Sequence, residues 1–351
     1  MIHQERKVYM DFLRVVGCFL VIFNHNPGYF AYQESSSAGL TFFYMFFTMI
    51  AKVNVPIFFM LTGALLLPRD TTYRELFTKR IPRMFSALLI ASLIYYIAHN
   101  KDNLAAISIF DFVKKFFIDD LAGAFWYLYA YLGLLLTLPF MQRIAQRFTT
   151  ADFILLLAVR FITYTAIPLG NHFLHCLDLP TFWYTPSFSI PLMTTQCFFY
   201  PLIGYYLEHV LDINRLTKKH LVYLTLLSCL GIAVASCFTY HEGITFGFTQ
   251  NYVQTFNYVL AINFYLLAKY IFTKFPTRNR STVLPFISSL TFGIYLMEPI
   301  LKCFDKEKYF DIIIPTSYPL LHTCIWCLFS MSVCGAATYF LKKLPVAKKL
   351  L

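Results

Sequence analysis

Apolar runs of about 17–25 residues recur along the whole chain, and a run of that length can cross a bilayer as a helix. Short polar segments separate the runs. Ten runs are predicted to span the membrane, at 10–30, 42–67, 83–99, 123–141, 152–169, 189–208, 220–240, 251–272, 283–303 and 320–341. The pattern therefore predicts an all-α integral membrane protein, with a bundle of about ten transmembrane helices in one membrane domain over residues 1–351.

The second run admits two interpretations. Residues 30–51 fit either the first part of the span, or an outer loop followed by an interfacial helix, with the span itself beginning near Asn54. Further along the run, Thr62 and Gly63 interrupt a series of aromatic residues. Small residues allow close helix packing or the close approach of a ligand to the backbone, and we favour packing here.

Composition supports a membrane protein, and the charge pattern predicts its orientation. The chain is 58% hydrophobic and 13% charged, with a mean hydropathy of +0.59, whereas soluble domains average about 25% charged residues. The net charge of +11 does not indicate nucleic acid, because 20 of the 29 lysines and arginines fall at the termini and in the even-numbered loops. The positive-inside rule then places both termini and the even-numbered loops in the cytoplasm.

The first run carries ionisable residues that share one side of a helix. Arg14 and His25 are eleven positions apart. At about 100° per residue they return to one face within roughly 20°, separated by about 16 Å along the axis. Asp11 falls near the same face. Ionisable groups within a membrane helix are energetically costly, which makes this stripe a candidate functional site.

Each of these two residues has a functional and a structural interpretation. His25 suits general acid–base chemistry near neutral pH, or it is a histidine hydrogen-bonded at a helix end. Arg14 suits capture of an anion that enters from the cytoplasm, or its side chain reaches out to the lipid headgroups. Their alignment on one face favours the functional interpretation of His25.

Other charged residues are secondary candidates. Arg80 and Arg83 open the third run, where they suit phosphate binding or only satisfy the positive-inside rule. Arg160, in the middle of the fifth run, is expected to face protein or a water-filled cavity, with a carboxylate or carbonyl partner. Glu298, in the ninth run, either couples to His25 or caps the helix break at the proline that follows it.

Metal chemistry is not predicted. Cys324 and Cys327 have the spacing of a redox or metal pair, but there is no second pair, and packing is the favoured interpretation. The histidines and cysteine of 172–178 match no strong zinc signature. The aromatic residues at 182–184 fit an interfacial belt better than a platform for a sugar ring. No phosphate-binding loop, dinucleotide-binding glycine pattern or nucleophile elbow is present.

Five motifs occur in order along most of the chain. They are Arg14 and His25 after Asp11, Val-Pro-Ile-Phe-Phe-Met-Leu-Thr-Gly at 55–63, the pair Arg80 and Arg83, Phe125-Trp126-Tyr127-Leu128, and Ser-Leu-Thr-Phe-Gly-Ile-Tyr-Leu-Met-Glu-Pro at 289–299. In these motifs the chain resembles the acyltransferase type 3 superfamily of multispanning membrane acyltransferases, and within it the bacterial O-acetyltransferases of surface glycans. It departs from the family pattern at Thr62, where Ser is usual, and at Glu298, where many members have His.

The resemblance implies a membrane O-acyltransferase of the bacterial cytoplasmic membrane. It would move an acyl group from cytoplasmic acyl-CoA to a hydroxyl of a surface carbohydrate or lipid-linked glycan. The acyl group is expected to be acetyl, and succinyl is the alternative. Acyl-CoA is then a co-substrate, and no bound cofactor is expected. His25 would be the general base, with Glu298 as the second catalytic candidate. The substrate-binding candidates are Arg14, Arg80, Arg83, Asp11, Asn54, Trp126 and Arg160.

A carrier or flippase for a glycan or glycolipid is the alternative function. Many spans and buried charges are also typical of transporters. Against it, the chain has no pair of glycine- or proline-broken spans in corresponding halves. Turnover of acyl-CoA would favour the enzyme, and movement of glycan without a donor would favour the carrier.

Overall fold

The computed structural model describes residues 6–26, 28, 31, 37–118, 121–180, 195–241, 248–275, 282–304, 310 and 317–351. Across these residues the regular structure is entirely helical, which confirms the all-α prediction. The helices are α1 (Val8–Asn24), α2 (Ala38–Ala51), α3 (Asn54–Leu66), α4 (Tyr73–His99), α5 (Ile109–Ile118), α6 (Trp126–Arg147), α7 (Thr150–Cys176), α8 (Gln196–Tyr205), α9 (Lys218–His241), α10 (Phe248–Lys274), α11 (Val283–Lys302), α12 (Pro319–Leu341) and α13 (Pro345–Leu350).

Seven helical segments of the described residues are long and apolar enough to cross a membrane. They are the continuous stretch of α2 and α3, then α4, α6, α7, the first 20 residues of α9, α11 and α12. Each overlaps one of the predicted spans. The other three predicted spans correspond to α1, with 17 residues, to α8, with ten, and to the 27-residue α10. Their crossing of the bilayer and the orientation of the termini stay predictions.

The second predicted span is broken close to the position where its beginning was ambiguous. Helices α2 and α3 together form an apolar stretch over Ala38–Leu66, with a turn at Lys52 and Val53 between them. At this break Asn257 donates from its side chain to the carbonyl oxygen of Lys52 at 3.1 Å. A carbonyl freed inside an apolar stretch therefore receives a hydrogen bond, as an apolar environment demands.

The chain divides into two compact units that alternate along the sequence. Unit 1 comprises Met1–Leu13, Phe30–Asp70 and Phe140–Arg280. Unit 2 comprises Arg14–Tyr29, Thr71–Pro139 and Ser281–Leu351. Unit 1 contains α2, α3 and α7–α10, and unit 2 contains α4, α5 and α11–α13. The single membrane domain over residues 1–351 stays a prediction.

In unit 1, helices α3 and α8 are packed through a reciprocal pair of glycines. A Cβ at Gly63 would lie 1.9 Å from the carbonyl oxygen of Pro201, and a Cβ at Gly204 would lie 1.9 Å from that of Met60. Each backbone thus occupies the space of the other helix's missing side chain. Packing is therefore the role of Gly63, as the sequence interpretation favoured.

The backbone carbonyl groups at the C-terminal end of α3 accept hydrogen bonds from side chains in distant parts of unit 1. Gln142 donates from Nε2 to the carbonyl oxygen of Leu66 at 2.8 Å. His209 Nε2 lies 2.7 Å from the carbonyl oxygen of Ala64, so the ring donates to it. The last carbonyls of a helix have no partner within the helix itself, and these side chains supply one.

The beginning of α1 is tied into unit 1 by a buried carboxylate. Glu208 accepts hydrogen bonds from Lys7 and from the hydroxyl of Tyr9. It also accepts from the hydroxyl of Tyr265 at 2.9 Å, and Lys269 Nζ lies 3.5 Å from the same carboxylate. The side chain of Glu208 is only 1% exposed. Four donors therefore surround one buried charge.

In unit 2, small and thiol side chains occupy the contacts between helices. A Cβ at Gly293 of α11 would lie 2.3 Å from Thr338 Cγ2 of α12. Cys18 of α1 lies with its Sγ 3.9 Å from the carbonyl oxygen of Thr291 in α11. Cys327 is fully buried and is a free thiol, as packing would require. These residues hold α11 between its two neighbours.

The short helix α5 of unit 2 carries an exposed acid–lysine pair. Lys115 Nζ lies 2.8 Å from Asp111 Oδ2, four positions earlier. The hydroxyl of Tyr96 donates to the same oxygen at 2.8 Å. The hydrogen bonds from Lys115 and Tyr96 lower the pKa of Asp111.

Candidate active site

His25 lies in a tight turn directly after α1. Its backbone N–H donates to the carbonyl oxygen of Ile22 at 3.1 Å, and the side chain of Asn26 donates to the same oxygen. The backbone N–H of Gly28 donates to Thr323 Oγ1 at 2.8 Å. A Cβ at Gly28 would lie 2.4 Å from that hydroxyl oxygen, so only glycine allows this approach. The turn that presents His25 is therefore held at both ends.

The structure brings His25 next to Glu298, the other catalytic candidate. Nδ1 of His25 lies 3.9 Å from Oε2 of Glu298. The carboxylate is buried, with 3% of its side chain exposed, whereas the imidazole is 24% exposed. A partly open imidazole beside a buried carboxylate is an arrangement that can take up a proton and stabilise the resulting charge.

Lys302 completes this cluster, and the sequence analysis missed it. Its Nζ lies 2.9 Å from Oε1 of Glu298, one helical turn earlier in α11. The same ammonium donates to the carbonyl oxygen of His25 at 2.8 Å. The available signal was the spacing of four between Glu298 and Lys302, which places them on one helix face. In the sequence, Lys302 stands at the end of the predicted ninth span, where a lysine is ordinary, and it was not singled out.

Aromatic residues of unit 2 include the candidate Trp126. Tyr95 and His99 of α4 stack, with ring centroids 5.7 Å apart, and Tyr95 meets Phe125 edge to face at 6.2 Å. Trp126 follows Phe125 at the start of α6 and is 41% exposed. Its role in substrate binding stays a prediction.

Arg80 and Arg83 lie at the beginning of α4, in the same unit as His25. Arg80 pairs with Glu75, with its Nη2 2.8 Å from Oε1. Arg83 donates from Nε to the carbonyl oxygen of Leu350 at 3.2 Å. Burial, together with the charge of Arg83, lowers the pKa of Lys342, which follows α12. Positive charge thus gathers near the start of α4.

Arg14 also belongs to unit 2 and is partly buried in α1. Unit 2 therefore contains six of the nine candidates, since Arg14, His25, Arg80, Arg83, Trp126 and Glu298 all fall within its ranges. Asp11, Asn54 and Arg160 fall in unit 1. The structure brings His25 and Glu298 into direct proximity, and Lys302 joins them.

The three candidates in unit 1 have structural partners. Asp11 accepts two hydrogen bonds from Arg6, at 2.8 and 3.0 Å. The side-chain oxygen of Asn54 accepts from the backbone N–H of Val55 at 2.6 Å, in the first turn of α3. These contacts fix local structure at the start of each helix.

Arg160 is almost completely buried, at 1% exposure, among aromatic rings. Its guanidinium lies 3.4 Å from the ring centroid of Tyr164 and 4.9 Å from that of Phe199. It also forms a hydrogen bond with the hydroxyl of Tyr200. A guanidinium interacts favourably with a ring face, so these aromatic groups stabilise Arg160. The carboxylate or carbonyl partner that the sequence led us to expect stays a prediction.

Among the residues that the structure describes, no group of three or more His, Cys, Asp and Glu side chains is placed to hold a metal ion. His172 Nε2 lies 3.5 Å from Cys176 Sγ. The aromatic residues at 182–184, considered above for an interfacial belt or a sugar platform, lie outside the described residues.

The helices and the buried charged cluster define a multi-pass membrane protein with a candidate site for proton transfer. Residues 7–339 match the family described as acyltransferase domain, of the acyltransferase type 3 group. The chain belongs to this family. It is an enzyme that transfers acyl groups other than amino-acyl groups, which confirms the enzyme prediction over the carrier. No curated protein and no solved structure matches the chain. Family membership implies an acyl donor, an acceptor and a lipid bilayer.

Proposed function

We propose that this membrane acyltransferase is an O-acetyltransferase of the bacterial cytoplasmic membrane. Its donor is acetyl-CoA from the cytoplasm, and its acceptor is a hydroxyl of a surface carbohydrate or lipid-linked glycan. The observation that carries the proposal is the pairing of the partly exposed His25 imidazole with the buried Glu298 carboxylate, 3.9 Å apart. Resemblance to glycan O-acetyltransferases supports the choice of donor and acceptor.

His25 acts as the general base. A sugar hydroxyl is weakly acidic, so attack on a thioester requires a positioned base to take its proton. The hydroxyl oxygen bonds to the thioester carbonyl carbon while its proton passes to the imidazole. The carbon–sulfur bond then breaks, and the imidazolium returns the proton to the leaving thiolate. The products are the acetyl ester and free CoA.

Glu298 acts on His25 rather than on the substrate. With Nδ1 facing the carboxylate, Nε2 is the nitrogen that we assign to the acceptor hydroxyl. The carboxylate orients the ring and stabilises the imidazolium that forms during the reaction. The distance of 3.9 Å is longer than a hydrogen bond, but such contacts often shorten when substrate binds.

Arginines of unit 2 bind the donor's phosphates. Arg14, Arg80 and Arg83 have the charge and the geometry that phosphate groups require. The separation of about 16 Å between Arg14 and His25 along a helix agrees in scale with an extended pantetheine arm. Trp126 contacts the sugar ring of the acceptor. Asp11, Asn54 and Arg160 have the structural partners described above, and we assign them no separate step.

The experiment measures transfer of labelled acetyl from acetyl-CoA to a glycan extract by purified protein. His25→Ala should lower kcat by about 10²–10⁴-fold, because that is the usual contribution of a general base. It should leave donor binding intact, whereas Arg14→Ala should weaken donor binding. His175→Ala, an exposed histidine of α7 in unit 1, is the control and should match the wild type.

Wild-type turnover in His25→Ala would remove this base from the mechanism. Turnover with succinyl-CoA and none with acetyl-CoA would change the acyl group but keep the site. Donor hydrolysis without transfer to any glycan fraction would overturn the proposed acceptor.

A further inference from the structure

We propose that Lys302 is a positioning residue for the reaction. Its ammonium group fixes the Glu298 carboxylate and the backbone of His25 relative to each other. This inference rests on the proposed function of His25. It adds a residue whose role acts through Glu298 and is therefore separable from a general contribution to folding.

The geometry gives Lys302 two anchors on two different segments of unit 2. Its Nζ lies 2.9 Å from Oε1 of Glu298, while Oε2 of the same carboxylate faces His25. The second anchor is the carbonyl oxygen of His25, at 2.8 Å. One ammonium therefore fixes the carboxylate relative to the turn that bears the imidazole. Removal of the Lys302 ammonium would therefore change the distance between the Glu298 carboxylate and the His25 ring.

Electrostatics explain why a lysine is required at this position. An isolated carboxylate in an apolar interior is unstable and tends to be neutralised or displaced toward water. Only 3% of the Glu298 side chain is exposed. The Lys302 ammonium balances that charge, and 25% of its own side chain reaches solvent. The ammonium and the carboxylate therefore form a charge pair beside His25.

The same charge has an opposite effect if Glu298 is removed. The ammonium lies close to His25, so without the carboxylate it would repel the imidazolium that forms during the reaction. Removal of Lys302 should therefore be harmful when Glu298 is present, and neutral or favourable when Glu298 is replaced by Gln. A residue that only supports folding would be harmful in both backgrounds.

The exposed pair Asp111 and Lys115 of α5 offers a matched control. It has the same spacing of four and a similar distance, 2.8 Å, but its side chains are 38% and 48% exposed. Exposed ion pairs contribute little to stability because water screens them. Lys115→Met therefore removes a comparable pair in the same unit, on a helix that carries none of the candidate site residues, and should leave turnover unchanged.

The test measures acetyl transfer by purified wild type, Lys302→Met, Lys302→Arg and Lys115→Met, and by Lys302→Met in a Glu298→Gln background. Lys302→Met should lower kcat by about 10–100-fold, the usual effect of a small misplacement of a reacting group, with the KM for acetyl-CoA unchanged. Lys302→Arg should recover most of this loss. In the Glu298→Gln background, Lys302→Met should cause no further loss.

If Lys302→Met does not purify as a folded protein, Lys302→Gln replaces it, since its amide can still donate to the His25 carbonyl. Wild-type kcat in the folded uncharged variant would overturn the inference. An equal loss with and without Glu298 would overturn it too, because the lysine would then not act through the carboxylate. A fully active His25→Ala would instead refute the proposed base, and the two failures are therefore distinguishable.

Discussion

Glu208 of unit 1 and Glu298 of unit 2 are both buried glutamates with a lysine nearby, yet their surroundings differ in one decisive way. Glu208 is surrounded by four donors, two ammonium groups and two tyrosine hydroxyls. Glu298 lies against one ammonium and one imidazole. Tyrosine and lysine stay protonated near neutral pH, whereas histidine changes its charge there.

The comparison separates a structural carboxylate from one that suits chemistry. A carboxylate accepts about four hydrogen bonds. Glu208 accepts three, and the Lys269 ammonium lies 3.5 Å away as a further donor group. Proton transfer at Glu208 would require those bonds to break. Glu298 instead faces an imidazole, a group that gains and loses a proton near neutral pH. Burial alone therefore does not identify a catalytic carboxylate, and the partners of the carboxylate do.

The largest effect is expected from exchanging the two glutamates for glutamine. Glu298→Gln should lower kcat by about a hundredfold, because the His25 ring loses its orienting charge. Glu208→Gln should lower stability instead, by about 3–5 kcal/mol, because it leaves the buried ammonium group of Lys269 without its charge partner. Acetyl transfer and thermal unfolding in detergent measure the two effects. A stable, inactive Glu208→Gln would reverse the comparison.

A smaller effect is expected at the turn that presents His25. Gly28→Ala places a Cβ 2.4 Å from Thr323 Oγ1 and 2.7 Å from the carbonyl oxygen of Pro319. Overpacking of this kind usually costs about 1–3 kcal/mol, and here it would also displace His25 and lower kcat. Gly39→Ala is the control, since nothing lies within 4 Å of its Cβ position. If both alanine variants had wild-type turnover, the close approach at Gly28 would be irrelevant to His25.

The smallest effect is expected at the basic residues. Arg83→Gln should raise the KM for acetyl-CoA about three- to fivefold with kcat unchanged, since a solvent-screened ion pair contributes at most about 1 kcal/mol. Arg215→Gln in unit 1 is the control, because that side chain is 86% exposed and pairs only loosely with Asp212, at 3.7 Å. Initial rates at varied donor concentration measure the difference. Equal KM values would exclude Arg83 from donor binding.

The helices were predictable from sequence because a helix that crosses a bilayer needs about 20 predominantly apolar residues. The length of an apolar run therefore indicates a span. The break between α2 and α3 fell beside Asn54, where the polar residues interrupt the run. The partners of buried charged side chains were not predictable. Arg160 lies against Phe199, about forty positions later in the chain, and no periodicity connects residues at that separation.

The candidate site was predictable in part. His25 and Glu298 stood out because each places an ionisable side chain in an apolar run, and the structure brings them within 3.9 Å. Lys302 was missed because the predicted end of the ninth span fell beside it, where lysine is ordinary. Its helix continues past Pro299 to Lys302 itself, so that Glu298 and Lys302 share one face. The predicted span at 283–303 already extended past Pro299, so what the sequence interpretation lacked was the pairing of these two residues and not the length of the helix.

The capped end of α3 has a consequence for how the chain is made. Gln142, which satisfies the carbonyl of Leu66, is synthesised 76 residues later, and His209 follows Ala64 by 145 residues. At about 5–20 residues per second, the ribosome needs about 4–15 s to reach that glutamine and about twice as long to reach that histidine. The end of α3 must therefore rely on water, lipid headgroups or the insertion machinery in the meantime, and its final hydrogen bonds form only after later helices arrive.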